Sequence, residues 1–147
     1  MPQNIVFPQS VDMAVGAAAI LLSSEPAYFD NELSLVVMRL IAASEARQIY
    51  FLQDMESRTL KGFVSFAFLD PRDEHAWRYR LRNPSFNDIK SKTGACWLLD
   101  YSYDNADGFK LLMNEIRRRH PEQANKVNFH GRRVSYPTFE IGTFDGK

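Results

Sequence analysis

The chain holds a single cysteine, Cys96, among its 147 residues. One thiol excludes an intrachain disulfide and cannot build a zinc cluster. Its apolar neighbours mark it as an inert buried thiol rather than a nucleophile. Basic residues are missing from the start: no Lys or Arg precedes Arg39. A secretion signal lacks its positive n-region on that ground, and an Arg-rich transit peptide is excluded with it. The early apolar run from Met13 to Leu22 is too short to span a bilayer. The expected compartment is therefore the cytoplasm, with no transmembrane segment.

Net charge is absent as well. Lys plus Arg and Asp plus Glu number 18 each, for a formal net charge of +0, so no basic footprint points to nucleic acid. His75, His120 and His130 are scattered, without a recognised ligand spacing, and no metal is expected. Neither a GxGxxG loop nor a Walker loop occurs, which argues against dinucleotide and triphosphate sites. No GxSxG elbow marks a serine hydrolase.

What is present is enough apolar material for a core, with 45% hydrophobic and 13% aromatic residues. The length suggests one domain over 1–147. Residues 1 to 9 read as a loose arm with Pro2 and Pro8. Ser10 caps a helix through Leu22, with Asp12 in its first turn, and Ser23-Ser24-Glu25-Pro26 ends it. Asp30-Asn31 starts the next unit, where Leu33, Val36, Val37, Leu40 and Ile41 fit a helical face. Leu35 and Met38 make its other side apolar, so this helix should be largely buried. The run Leu35 to Met38 also suits a strand, but the helical pattern continues through Ala42, Ala43 and Ala46.

Gln48 to Gln53 and Leu60 to Leu69 read as a strand hairpin about the polar turn Asp54 to Thr59. The second strand is apolar on both faces and so central. Asp70-Pro71-Arg72-Asp73-Glu74 is a helix start. The helix ends near Arg82, and a polar loop runs from Asn83 to Gly94. Ala95 to Tyr103 is a strand. Phe109, Leu112, Met113 and Ile116 recur at helical spacing, and that helix closes with Arg117-Arg118-Arg119-His120-Pro121. Lys126 to His130 and Val134 to Ile141 read as a last hairpin about Gly131-Arg132, and Pro137 puts its final strand at an edge. The order suggests an α/β (α+β) domain with a mixed, mostly antiparallel sheet flanked by helices.

One residue breaks the pattern. Asp100 follows Trp97-Leu98-Leu99 in an apolar strand, where a carboxylate is costly unless paired or hydrogen-bonded. Either it sits at the strand's exposed end and satisfies backbone groups, or it belongs to a site.

The stretch Trp97-Leu98-Leu99-Asp100, the helix end Arg118-Arg119-His120-Pro121 and Phe129-His130-Gly131 resemble the toxin-activating lysine acyltransferases. Upstream, Ser23-Ser24-Glu25-Pro26 and Leu33-Ser34-Leu35 look like that family's early helix junction. The likeness runs over Gly16 to Ser135 at low identity. It implies an N-acetyltransferase-like fold and a homodimer. It also implies transfer of a fatty-acyl chain from acyl carrier protein, or acyl-CoA, to a lysine-type amine. The acceptor is a protein toxin or a ribosomal peptide precursor. No cofactor stays bound, because the acyl donor is a substrate, and the missing glycine-rich coenzyme A loop between Tyr103 and Phe109 fits a carrier protein.

Asp100 matches the family's catalytic aspartate. The family's histidine position falls at Tyr28, beside an insertion. The family's Pro-Phe-Gly after the aspartate strand is absent, and Arg132 replaces its second glycine after Phe-His. The resemblance thus makes Asp100 and Tyr28 the catalytic candidates and Trp97, His130, Arg118 and Arg119 the substrate-binding ones. His130 and His75 are candidate substitute bases. Each has a plainer reading: Tyr28 as a core or surface aromatic, His130 as a hairpin-turn histidine, and the arginines as a helix end favoured by the dipole. A family member that has lost catalysis and only binds carrier protein or peptide is the alternative to an enzyme.

Overall fold

The computed structural model describes residues 3–28, 31–135 and 138–145. Helix α1 (Val11–Leu22) begins where the Ser10 hydroxyl accepts the Met13 amide at 3.1 Å. A 3₁₀ turn, Pro26–Tyr28, leads toward α2 (Leu33–Glu45). The Leu35–Met38 run is helical here, since Val36, Leu40, Ala42 and Ala43 form one buried face. The helix is less enclosed than its composition suggests, because Leu33 is 72% exposed and Leu35 faces outward with it.

Strands β2 (Ile49–Asp54) and β3 (Leu60–Leu69) form the expected hairpin, with Asp54 accepting the Glu56 and Ser57 amides in its turn. Helix α3 (Pro71–Arg78) starts on an Asp70 cap and stops earlier than Arg82. Arg80 takes a left-handed φ of 54° there, and the Leu81 amide reaches back to the Ala76 carbonyl at 2.8 Å. That is a Schellman ending, made here without the usual glycine. The segment read as a polar loop holds a further helix, α4 (Phe86–Lys90), set by a reciprocal capping box between Ser85 and Asp88. Strand β4 (Ala95–Tyr103) and helix α5 (Ala106–Arg119) follow as expected.

Two expectations about the ends are corrected. The arm contains a strand, β1 (Gln3–Val6), paired antiparallel to β2. The last hairpin does not turn at Gly131-Arg132, because β5 (Val127–Ser135) runs straight through it before β6 (Thr138–Phe144). The irregularity expected as a turn survives as a register shift between His130 and Val134. Asp30 and Pro137, which the sequence marks as a helix start and an edge signal, lie outside the described residues.

The six strands pair in sequence order, β1-β2-β3-β4-β5-β6, and only β4 and β5 are parallel. The result is a mixed, mostly antiparallel α+β sheet domain. Helices α1, α2, α3 and α4 cover one face, where Ala18, Leu40, Trp77 and Ile89 pack on Phe51, Phe63, Ala67 and Trp97. Helix α5 covers the other, with Leu112, Met113 and Ile116 against Val64, Phe66, Phe68 and Leu98.

Two features of β4 set the surroundings of Asp100. The β4 ladder to β3 slips, with Ser65 opposite Asp100 but Phe66 opposite Leu98, so Leu99 is an extra residue. In a regular strand Leu99 and Asp100 would point to opposite faces. The bulge puts both on the α2 side, where Leu99 packs with Ala42 and Ala43 and Asp100 meets Arg39. Second, β4 pairs with β5 only at Cys96–Val127 and Trp97–Asn128. Beyond those pairs the two parallel strands part, and the Tyr101 hydroxyl donates across the gap to the His130 carbonyl.

Candidate functional site

Asp100 is fully buried in the middle of the sheet, not at an exposed strand end. Its carboxylate is held by donors from two distant segments. The Tyr28 hydroxyl donates to Oδ1 at 2.7 Å, across 72 residues of sequence. Arg39 donates through Nε to Oδ2 at 2.9 Å and through Nη2 to Oδ1 at 2.8 Å, a bidentate fork. The third arm of that guanidinium, Nη1, reaches Asn83 Oδ1 at 3.1 Å, and its carbon lies 5.6 Å from the Trp77 ring centre. The backbone at the bulge is satisfied by one hydroxyl: Ser65 Oγ accepts the Asp100 amide and donates to the Asp100 carbonyl, both at 3.1 Å.

Arg39 is the residue that sequence reasoning missed. It is 5% exposed. The signal lay in its setting, because it is the one charged residue between Glu32 and Glu45. A lone guanidinium on a buried helical face requires a partner.

The electrostatics separate the roles of this cluster. Burial, then the charge and hydrogen bond of Asp100, push the Tyr28 phenol well above its ordinary range, against the pull of Arg39 and Arg80. Tyr28 is thus a neutral phenol, a proton donor to Asp100 with an oxygen lone pair to spare. For Arg39, burial opposes the charge, but Asp100 outweighs it and the net direction is upward.

The other expected residues are placed apart from this cluster or in plainer roles. Trp97 is fully buried, its indole N–H bonded to Glu74 Oε2 at 2.8 Å, with the Arg78 guanidinium 4.9 Å over its ring. His130 is buried within β5 rather than at a turn, its ring 5.4 Å from Trp77 and 5.3 Å from Trp97. Its Nε2 pairs with the Arg78 carbonyl at 3.0 Å, which assigns the proton to that nitrogen. Burial pulls its pKa down to about 4. His75 is exposed on α3 beside Tyr79. Arg118 and Arg119 end α5, on the opposite face of the sheet from Asp100, and both are tied to Glu115 at 2.7 and 2.8 Å. Burial drives the Cys96 thiol strongly upward, as an inert thiol requires. Among the described residues, no group of His, Cys, Asp and Glu side chains is placed to hold a metal ion.

No protein-family model matches the chain, and no curated protein does.

Proposed function

We propose that this protein is an N-acyltransferase that moves a fatty-acyl chain from acyl carrier protein to the lysine-type amine of a protein or ribosomal peptide. The supporting observation is the 2.7 Å bond between Tyr28 and Asp100. These are the two residues that the family resemblance singles out, and they lie 72 positions apart. The parting of β4 and β5 after Trp97 and Asn128 supports the same reading. It leaves strand edges to which the amides of an extended pantetheine arm can bond.

The chemistry asks for removal of one proton. A lysine amine has a pKa of about 10.4 and arrives as an ammonium. In this reading the ammonium donates to the Tyr28 phenol oxygen while the Tyr28 O–H donates to Asp100. One proton passes to Tyr28 as another passes to the carboxylate. The freed nitrogen attacks the thioester carbonyl and the C–S bond breaks as the C–N bond forms. The nitrogen's second proton goes to the departing thiolate, which leaves as a thiol, and the proton on Asp100 passes to solvent. Arg39 holds the carboxylate in register throughout. The carrier protein places the reaction in the cytoplasm. Among the described residues no helix is long and apolar enough to cross a membrane. A homodimer is part of the same reading.

The Arg39 fork favours a second reading. It engages both carboxylate oxygens, so Asp100 is already committed as the partner of a structural ion pair. A protein that binds carrier or peptide without turnover would be built this way. Intact mass decides between them. The protein is incubated with acyl carrier protein loaded with a range of acyl chains, and with lysine-containing peptides encoded beside its gene. An acyl mass gain on the acceptor, lost in Tyr28→Phe, supports transfer. A stable carrier or peptide complex without mass gain selects the binding protein. Neither mass gain nor complex overturns both readings.

A further inference from the structure

A polar concavity lies away from Asp100, where the loop before α1, the end of α2, the start of β2 and the end of α5 meet. It has a volume of about 410 Å³, and its walls include Phe7, Ser10, Arg47, Tyr50 and Arg119. Volumes of this order suit small-molecule sites.

Three observations make it more than a surface dent. Tyr50 is 2% exposed, yet its hydroxyl has no hydrogen-bond partner among the described residues, while the side chain lines the cleft. Its ring is packed in the core, and the hydroxyl opens on the cleft as an uncommitted donor at the wall. Arg119 stacks its guanidinium 4.2 Å over the Phe7 ring and spends only Nε on Glu115. Its two terminal nitrogens hold no hydrogen bond among the described residues. Arg47 lines the same cleft with a side chain that pairs with nothing among the described residues. It also sits at a left-handed φ of 59°, where the α2 ending would favour glycine. The acid in the lining, Glu45, lies 3.7 Å from Lys90.

Two guanidiniums, a phenol donor and the first turn of α1 face one concavity with an aromatic wall. Guanidinium forks match the oxygen geometry of phosphate, and the free amides of a helix start favour an anion. We infer that this cleft binds a small phosphate monoester whose organic part lies against Phe7 and Tyr50. The site shares Arg119 with the substrate-binding candidates of the acyl-transfer reading but uses none of Tyr28, Arg39 and Asp100.

The test uses the full chain with AMP, inorganic phosphate and adenosine as probes, read by calorimetric titration and by amide shifts of residues 7–11 and 44–50. AMP binding that saturates, with adenosine at least tenfold weaker, is the expected result. Phosphate binding as strong as AMP would overturn the ester and leave only a free-anion site, whereas AMP binding much tighter than phosphate supports it. Two variants remove donors at little structural cost: Tyr50→Phe deletes only the hydroxyl, and Arg47→Asn suits the left-handed backbone. Each should raise the dissociation constant of the bound probe about tenfold or more, as expected for a hydrogen bond to a charged group. Equal binding of AMP and adenosine, no saturable binding of AMP or phosphate at millimolar concentration, or unchanged affinity in both variants would overturn the inference.

Discussion

Arg39 of α2 grips Asp100 of β4 through two parallel N–H donors, and both side chains are buried. This fork ties the helical layer to the centre of the sheet. Its net contribution depends on both partners being present. Removing one leaves a buried charge without compensation, which costs about 3–5 kcal/mol. Arg39→Leu should therefore lower stability by that amount in a urea titration. Arg39→Leu combined with Asp100→Leu should recover most of the loss, since apolar replacements of a buried pair are often neutral. If the double variant is as unstable as the sum of the two singles, the two residues do not act as a pair.

Much of the architecture was legible in the sequence because it rests on local periodicity and caps. Ser10 before α1 and Asp70-Pro71 before α3 are side-chain signals that work within one turn. The apolar run of β3 reads as central because both its faces are buried, one under α5 and the other under the helical layer. What escaped was short or depended on partners. Strand β1 has only four residues and takes its meaning from the β2 edge. Helix α4 is a single turn held by its capping box. Asp100 was visible as an anomaly, and the resemblance pointed to Tyr28. The bulge at Leu99 that turns Asp100 toward α2 leaves no mark in composition or period. Arg39 was readable in principle as a lone charge on an apolar helix face, but its partner lies 61 residues away.

His130 makes stability depend on pH. Burial holds its pKa down to about 4, whereas an unfolded histidine titrates near about 6.5. Between those values the unfolded chain binds a proton that the native chain does not. Stability should thus be full above about pH 6.5 and fall as pH drops toward 4, by on the order of 2–3 kcal/mol. His120, also shifted down by burial, acts in the same direction. Urea midpoints of the wild type and His130→Phe, compared from pH 7 to pH 4.5, isolate the His130 share. A variant with the same pH slope as the wild type would assign that slope to other groups.

Gly94 should not tolerate a side chain. Its φ is +112°, and an added Cβ would lie 2.0 Å from the Leu69 carbonyl oxygen and 2.8 Å from the Asp70 nitrogen, all backbone atoms. Neither the torsion nor the contact can relax without moving the start of β4 off the end of β3. Gly94→Ala should cost at least about 2 kcal/mol, combining left-handed strain with a backbone clash. Gly16→Ala is the matched control, since a Cβ there meets nothing within 4 Å. It should be neutral or slightly stabilising in a helix. Equal melting temperatures for the two variants would contradict this.

Ser65 is the support of the bulge, and through it of the candidate site. Its hydroxyl accepts from the Asp100 amide and donates to the Asp100 carbonyl at the position where the β3–β4 ladder slips. Ser65 itself is fully buried, so water does not replace that hydroxyl at no cost. Ser65→Ala keeps the volume but leaves a buried amide without its acceptor, a loss of about 1–3 kcal/mol. The effect should be local as well as global. The Asp100 amide should exchange with deuterium faster relative to its neighbours Leu98 and Ser102, because the bulge opens without its bridge. A Thr in place of Ser65 keeps the hydroxyl and should restore slow exchange if its extra methyl fits. If acyl transfer is found, Ser65→Ala should lower it more than Gly16→Ala, since Asp100 would lose its fixed aim toward Tyr28. Unchanged exchange at Asp100 in Ser65→Ala would show that the bulge is held by the strand ladder alone.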